Sequence, residues 1–253
     1  NGVGPGFWFA KSRGTTIGSN VGVADGDQLG GMFFHAADGD DKYGRAAAIV
    51  CYADGTQGTN VTPGKLEFST TQSGAAATTA RMVIHNDGYI TTPSQVGFTA
   101  RMTSNFSHPG NNSFNSGTNW VMPFDDEVWD VGGNFNVSNY TFTAPVTGRY
   151  LCCYTVQMET ISSWLWNYIY PVVTGTGGTT NTSASAAAGV VFSDDGGTGV
   201  TGTQTTTAAY RTFTNTLVMN LTAGQQVRMG IRGEMNATIK GVTETQWQMQ
   251  LLG

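Results

Sequence analysis

Four Asp-Gly pairs, Asp25-Gly26, Asp38-Gly39, Asp54-Gly55 and Asp87-Gly88, cut the N-terminal part of the chain into runs too short for ordinary helices. The dipeptide suits the positive backbone angles of tight hairpin turns. The runs between the pairs, Gly31 to Ala36, Ala48 to Ala53, Lys65 to Thr70 and Arg81 to His85, therefore read as strands. Composition extends this to the whole chain: 35 of 253 residues are Gly and 37 are Thr, whereas the good helix formers Leu, Glu and Lys are sparse. The chain is expected to be all-β.

Charge narrows the partners. Twelve Lys and Arg stand against 17 Asp and Glu, a net charge of −5, and only 11% of residues are charged. Nucleic-acid binding is not expected without a basic footprint. Membrane insertion is not expected either, because no apolar run approaches the roughly 20 residues of a spanning helix. The opening Asn1-Gly2-Val3-Gly4-Pro5-Gly6 has neither a start Met nor the regions of a signal peptide, which reads as a fragment whose localisation signal lay upstream. Cys51 stands alone, and the neighbours Cys152 and Cys153 point to opposite faces of a strand, so three reduced, buried thiols are expected and no zinc site.

The Pro-bearing stretch Thr91-Thr92-Pro93-Ser94-Gln95 marks a boundary, giving a β-rich module over residues 1–92 and a second domain over 93–253. The first module has too few bulky apolar residues to enclose a core alone and is expected to complete it with copies of itself. In the second, alternation sharpens: Val227, Met229 and Ile231 oppose Arg228, Gly230 and Arg232, and Trp247, Met249 and Leu251 oppose Gln246, Gln248 and Gln250. Runs at 140–143, 150–156, 164–173 and 212–221 complete a sandwich-sized set of strands. Residues 174–207, nearly all Gly, Thr, Ser, Ala and Asn, read as a surface excursion broken at most by a strand at Val190-Val191-Phe192.

Five landmarks then follow in order: Phe98-Thr99-Ala100-Arg101, Pro123-Phe124-Asp125, Phe142-Thr143-Ala144-Pro145-Val146-Thr147-Gly148-Arg149-Tyr150, Leu221 to Val227, and Trp247 to Leu252. Over about residues 97–253 this series resembles the C1q-like domain, a family similar to tumour necrosis factor. The resemblance implies an antiparallel jelly-roll sandwich that assembles as a homotrimer. Two departures are Cys152, where the family has an aromatic residue, and Met249 and Gln250, where it has Gly and Phe. The first module resembles β-rich modules of bacteriophage tail fibres through Gly26-Asp27-Gln28-Leu29-Gly30, Phe34 with Ala36, Asp38 and Gly39, Pro63-Gly64-Lys65-Leu66, and Arg81-Met82 with Ile84 and Gly88. Together the two imply the distal end of a phage tail fibre, located on the virion beside other fibre or tail proteins. Its expected role is non-enzymatic attachment to a host-surface glycan or protein.

Candidate site residues are few. Trp164, Trp166, Tyr168 and Tyr170 alternate along one strand, a pattern that serves packing more often than sugar stacking. Of these, Tyr168 and Tyr170 are expected in the core and Trp164 at a sugar. Receptor contact is assigned to Trp164 and the excursion, specifically Asn181, Asp194 and Asp195. Asp125, Asp126, Glu127 and Asp130 concentrate acid, and a solvated acidic loop or a calcium ion would both account for it. His35, His85 and His108 belong to no catalytic motif. Two other roles remain open at this point: a structural or decorative appendage protein without receptor contact, and a polysaccharide-degrading enzyme of the tailspike type whose paired carboxylates come from separate strands.

Overall fold

The computed structural model describes residues 4–109, 120–159, 166–175, 190–193, 210–233, 236–241 and 244–253. Among these every element is a strand, and all strand pairing is antiparallel. The chain divides into two compact units, Asn1–Gln95 and Val96–Gly253.

The first unit is a single five-stranded sheet. β1 (Gln28–Ala36), β2 (Gly44–Ala53), β3 (Gly64–Thr71), β4 (Thr78–Ile84) and β5 (Ile90–Thr91) lie side by side in chain order. The glycine of each Asp-Gly pair has positive φ, from 80° at Gly26 to 122° at Gly55, so the turns take the backbone geometry the dipeptide predicts. Aspartates in or beside three of these turns brace them. Asp27 takes two hydrogen bonds from the Arg13 guanidinium at 2.7 and 2.9 Å and a third from the Ala24 N–H. Asp38 accepts from the N–H groups of Asp40 and Asp41, and Asp54 accepts from Asn86 and faces Lys65 at 3.5 Å.

Register sorts this sheet into two unlike faces. One carries the cross-strand rows Met32–Ile49–Phe68–Met82 and Cys51–Leu66–Ile84–Ile90, with Phe34 opposite Ala47 at the end of β1. None of these residues is charged, but Arg81 reaches over the same face, its Nε donating to the hydroxyl of Thr70 at 3.0 Å, with Thr70 in register with Ala47. The other face holds His35, Arg45, Lys65 and Glu67, with the Arg45 guanidinium 4.3 Å above the Phe33 ring. There the small residues Ala48, Val50 and Ser69 are buried between longer neighbours, flanked in register by Phe33 and Glu67.

The second unit is a two-layered sandwich. One layer runs β15 (Tyr210–Leu221), β12 (Gly148–Glu159), β18 (Gln246–Leu251), β6 (Gly97–Arg101) and β9 (Asp126–Val131). Beyond the end of β18, β17 (Asn236–Ile239) continues beside β12 and carries β7 (Phe106–Pro109). The other layer runs β10 (Phe135–Asn136), β11 (Thr141–Thr143), β16 (Gln226–Gly233), β13 (Trp166–Thr174) and β14 (Val190–Ser193), with β8 (Trp120–Val121) on β16. The order β15-β12-β18-β6 in one layer and β11-β16-β13-β14 in the other is the double Greek key of a jelly roll.

Inward residues of both layers form the core. Phe98 stacks on Phe135 and Phe142 at centroid distances of 4.5 and 5.2 Å and meets the edge of Trp247 at 4.8 Å. Val227, Met229 and Ile231 are fully buried opposite, as their alternation predicts, and Trp247 and Met249 join them from β18. The two most specific landmarks lock each other. Ala144 exchanges backbone hydrogen bonds with Gly224 and Gln225, Thr147 accepts from the Ala223 N–H, and the buried Tyr150 hydroxyl donates back to the Val146 carbonyl at 2.8 Å.

Acid should act first on the first unit. Hydrogen bonding from Arg13 holds Asp27 well below the usual carboxylate range, backbone donors lower Asp38, and at Asp54 the Asn86 and Lys65 contacts outweigh a burial effect of opposite sign. Carboxylates depressed in the folded state contribute stability that is complete above their unfolded value of about 4 and is lost as pH falls below it. The thermal midpoint of this unit, followed by circular dichroism, is expected to hold from neutrality to about pH 5 and to drop below about pH 4. Arg13→Ala should weaken that dependence, and a midpoint that rises on acidification would contradict the assignment.

Candidate functional site

The four acids read as a solvated acidic loop or a calcium site are dispersed among separate local tasks. Asp125 accepts from the Thr103 N–H and hydroxyl, both at 2.7 Å, and ties the end of β6 to the start of β9. Asp126 pairs with Arg101 on the neighbouring strand. Asp130 accepts from the Phe135 N–H at 2.7 Å, closing the turn into β10, and Glu127 stands exposed on β9. Among the described residues no group of three His, Cys, Asp or Glu side chains could hold a metal ion. The acids crowd in sequence because three of them bind neighbouring backbone or a neighbouring strand, which is a structural use.

The receptor residues assigned from sequence, Trp164, Asn181, Asp194 and Asp195, lie outside the described residues. The aromatic stripe is corrected in part. β13 turns Ile169 into the core, whereas Tyr170, the next residue, is buried on the opposite side of the strand, in register with Gly230. Tyr170 is thus well covered, as expected, but it is not part of the core cluster between the sheets. Alternation within one strand cannot say which parity faces inward; the pairing with β16 supplies that. Of the histidines, His35 contacts the Tyr43 carbonyl and His85 contacts Thr91 and stacks on Tyr89, both on the first sheet, while His108 is buried on β7.

A surface that sequence reading missed is the outer face of the β15-β12-β18 layer. Its outward positions are Arg149, Leu151, Cys153, Thr155, Gln157 and Glu159 on β12, Thr212, Thr214, Thr216, Val218 and Asn220 on β15, and Gln246, Gln248 and Gln250 on β18. The charged ones, Arg149 and Glu159, stand at the two ends of β12, and the positions between them are neutral. Hydroxyls and amides are already paired across the strands: Thr155 with Thr214 at 3.0 Å, Gln157 with Thr212 at 3.2 Å, and Thr216 with the Cys153 thiol at 3.4 Å. Val218, three residues before the end of β15, is 55% exposed. Next to this area Trp129 lies across Gly97, where an added Cβ would come within 3.1 Å of the indole and 2.9 Å of the Met249 carbonyl. The signal was present in the sequence as alternating Thr and Gln, which reads as ordinary solvent-facing polarity until the strands are set side by side.

The cysteines differ from one another. Cys152 is buried beneath this face, and burial pushes its thiol up to about 12, with the Trp247 indole acting weakly in the other direction. It therefore stays protonated and inert. Cys51 and Cys153 are only half-buried, which corrects the expectation that all three are core residues.

No protein-family profile matches the sequence, and no curated protein matches it either. Solved structures similar to it include the globular domain of zebrafish complement 1qA protein, at 12% identity over 62% of this chain and 98% of that one, with a TM-score of 0.43. Murine APRIL at pH 5.0 is similar at 13% identity over 62% and 99% of the two chains, TM-score 0.43. The Eiger TNF of S. frugiperda is similar at 10% identity over 63% and 92%, TM-score 0.42.

If Asp125 serves the Thr103 turn, Asp125→Ala should cost about 1–2 kcal/mol of stability, the cost of leaving paired donors unmet. Guanidinium unfolding should give the same loss in calcium and in chelator. A loss seen only with calcium present would return the metal to this site.

Proposed function

We propose that the chain is a non-enzymatic, homotrimeric recognition module at the tip of a virion fibre, of the phage tail-fibre kind, that attaches to a host-surface glycan or protein. The observation that carries the assembly is the neutral middle of the outer face of β15, β12 and β18, with charge only at the ends of β12, Arg149 and Glu159. Ordinary protein surfaces are rich in Lys, Glu and Asp, and the buried centres of interfaces are depleted of them. The same layer ends on β15, a twelve-residue strand whose described pairing is to β12 alone. A long edge of this kind is protected when a second chain lies against it.

Assembly supplies what a loop-borne site lacks. Contacts made by Trp164 and by Asn181, Asp194 and Asp195 of the excursion would be weak singly. Three copies on one axis raise the effective concentration of the second and third contacts, so weak contacts sum to firm attachment. The motif resemblance of the first module to tail fibres supports the virion setting and the pairing with other fibre or tail proteins.

The test compares the full chain with Val218→Lys, which places a charge in the neutral face at a half-exposed position. Labelled protein is applied to a glycan array and to a panel of bacterial cells. The wild type is expected to bind at least one of these, and the variant to bind about 100-fold more weakly while retaining its β-sheet spectrum. Equal binding by both proteins, or no binding by the wild type to either panel, would overturn the reading.

A further inference from the structure

We infer that Asp38 is a site of self-modification, where the chain converts its own Asp38-Gly39 peptide link into an isoaspartyl link. The four Asp-Gly pairs of the first unit offer the same atoms, and the sequence around two of them is identical: Ala24 to Asp27 and Ala37 to Asp40 both read Ala-Asp-Gly-Asp. Only the fold separates them. In three pairs the glycine N–H is committed. Gly26 donates to the Ala53 carbonyl at 2.9 Å, Gly55 to the Asp25 carboxylate at 2.7 Å and Gly88 to the His85 carbonyl at 3.0 Å. The Gly39 N–H has no acceptor among the described residues, and its surroundings are open, with no atom within 4 Å of an added Cβ.

The reaction needs that nitrogen. The Gly39 nitrogen bonds to Cγ of the protonated Asp38 carboxyl, the nitrogen's hydrogen and the Oδ2 hydroxyl leave as water, and a five-membered succinimide closes. Water then adds back. Addition at the main-chain carbonyl breaks its bond to the Gly39 nitrogen, so the backbone runs on through Cγ and the α-carboxylate becomes the side group. The water lost is regained, and no other reactant is used. A glycine nitrogen that already donates must first give up its bond, whereas that of Gly39 is ready. The loop also polarises the carbon under attack. The Asp40 and Asp41 N–H groups both donate to Asp38 Oδ1 at 2.9 Å. Attack at Cγ puts negative charge on that oxygen, and donors already aimed at it stabilise the charge without reorganisation. The same donors favour the ionised carboxyl, so ring closure draws on its protonated fraction and runs on the scale of protein ageing rather than of catalysis. Asp25 receives one such donor, the Gly55 N–H, but its own glycine is committed. Once formed, isoaspartate adds one carbon to the main chain and withdraws the acceptor of Asp40 and Asp41, which slackens the loop between β1 and β2.

The full-length protein is incubated folded, at neutral pH and physiological temperature, and in parallel unfolded in guanidinium. Isoaspartate at each of the four pairs is quantified in proteolytic peptides by electron-transfer fragmentation, which distinguishes the two linkages within one peptide. In the folded protein Asp38 should isomerise at least about tenfold faster than Asp25, Asp54 and Asp87. Unfolding should bring Asp25 and Asp38, with their shared tetrapeptide, to about equal rates. An Asp38 no faster than Asp25 in the folded protein, or a faster rate at any of the other three pairs, overturns the inference. So does a difference between Asp25 and Asp38 that persists in guanidinium, because it would not come from the fold. The Asp38→Glu variant, whose longer side chain would need a six-membered ring, should lose most of the isoaspartate that a protein-isoaspartyl methyltransferase labels in the folded wild type. Labelling of the variant as strong as that of the wild type overturns the assignment.

Discussion

A β-sheet buries a face only against something else, and that constraint governs both halves of this chain. The second unit meets it internally: two layers close on Phe98, Trp247 and the residues around them, and a jelly roll results. The first unit has one layer. The outer face of β15, β12 and β18 in the second unit has a neutral middle, bounded by Arg149 and Glu159 at the ends of β12. Our account of assembly follows from the face of β15, β12 and β18.

Much of the fold was legible because its signals are local. An Asp-Gly pair specifies its own turn, and alternation in β16 and β18 specifies which residues share a face. The Phe142 to Tyr150 and Leu221 to Val227 stretches were readable for a deeper reason. Each residue kept in those motifs has a task in one corner, where Ala144 bonds to the Gly224 turn and Tyr150 reaches back to Val146.

What the sequence hid depends on neighbours distant along the chain. Tyr170 and Ile169 are adjacent, and only the pairing of β13 with β16 shows that Ile169 faces the core. The run of acids from Asp125 to Asp130 fits a solvated loop or a ligand set equally in sequence because spacing says nothing of partners; Thr103, Arg101 and Phe135 engage three of them separately. The neutral middle of this face was hidden in plain view, since a single strand of alternating Thr or Gln is ordinary and only three such strands side by side form a broad uncharged area between Arg149 and Glu159.

The claim on which the rest stands is that the chain associates with itself in threes. Sedimentation equilibrium of the full-length protein at about micromolar concentration measures it without a ligand or a variant, in the range where a specific interface holds. The account predicts a species of three times the 26.7 kDa chain mass. A stable species of single-chain mass would contradict it.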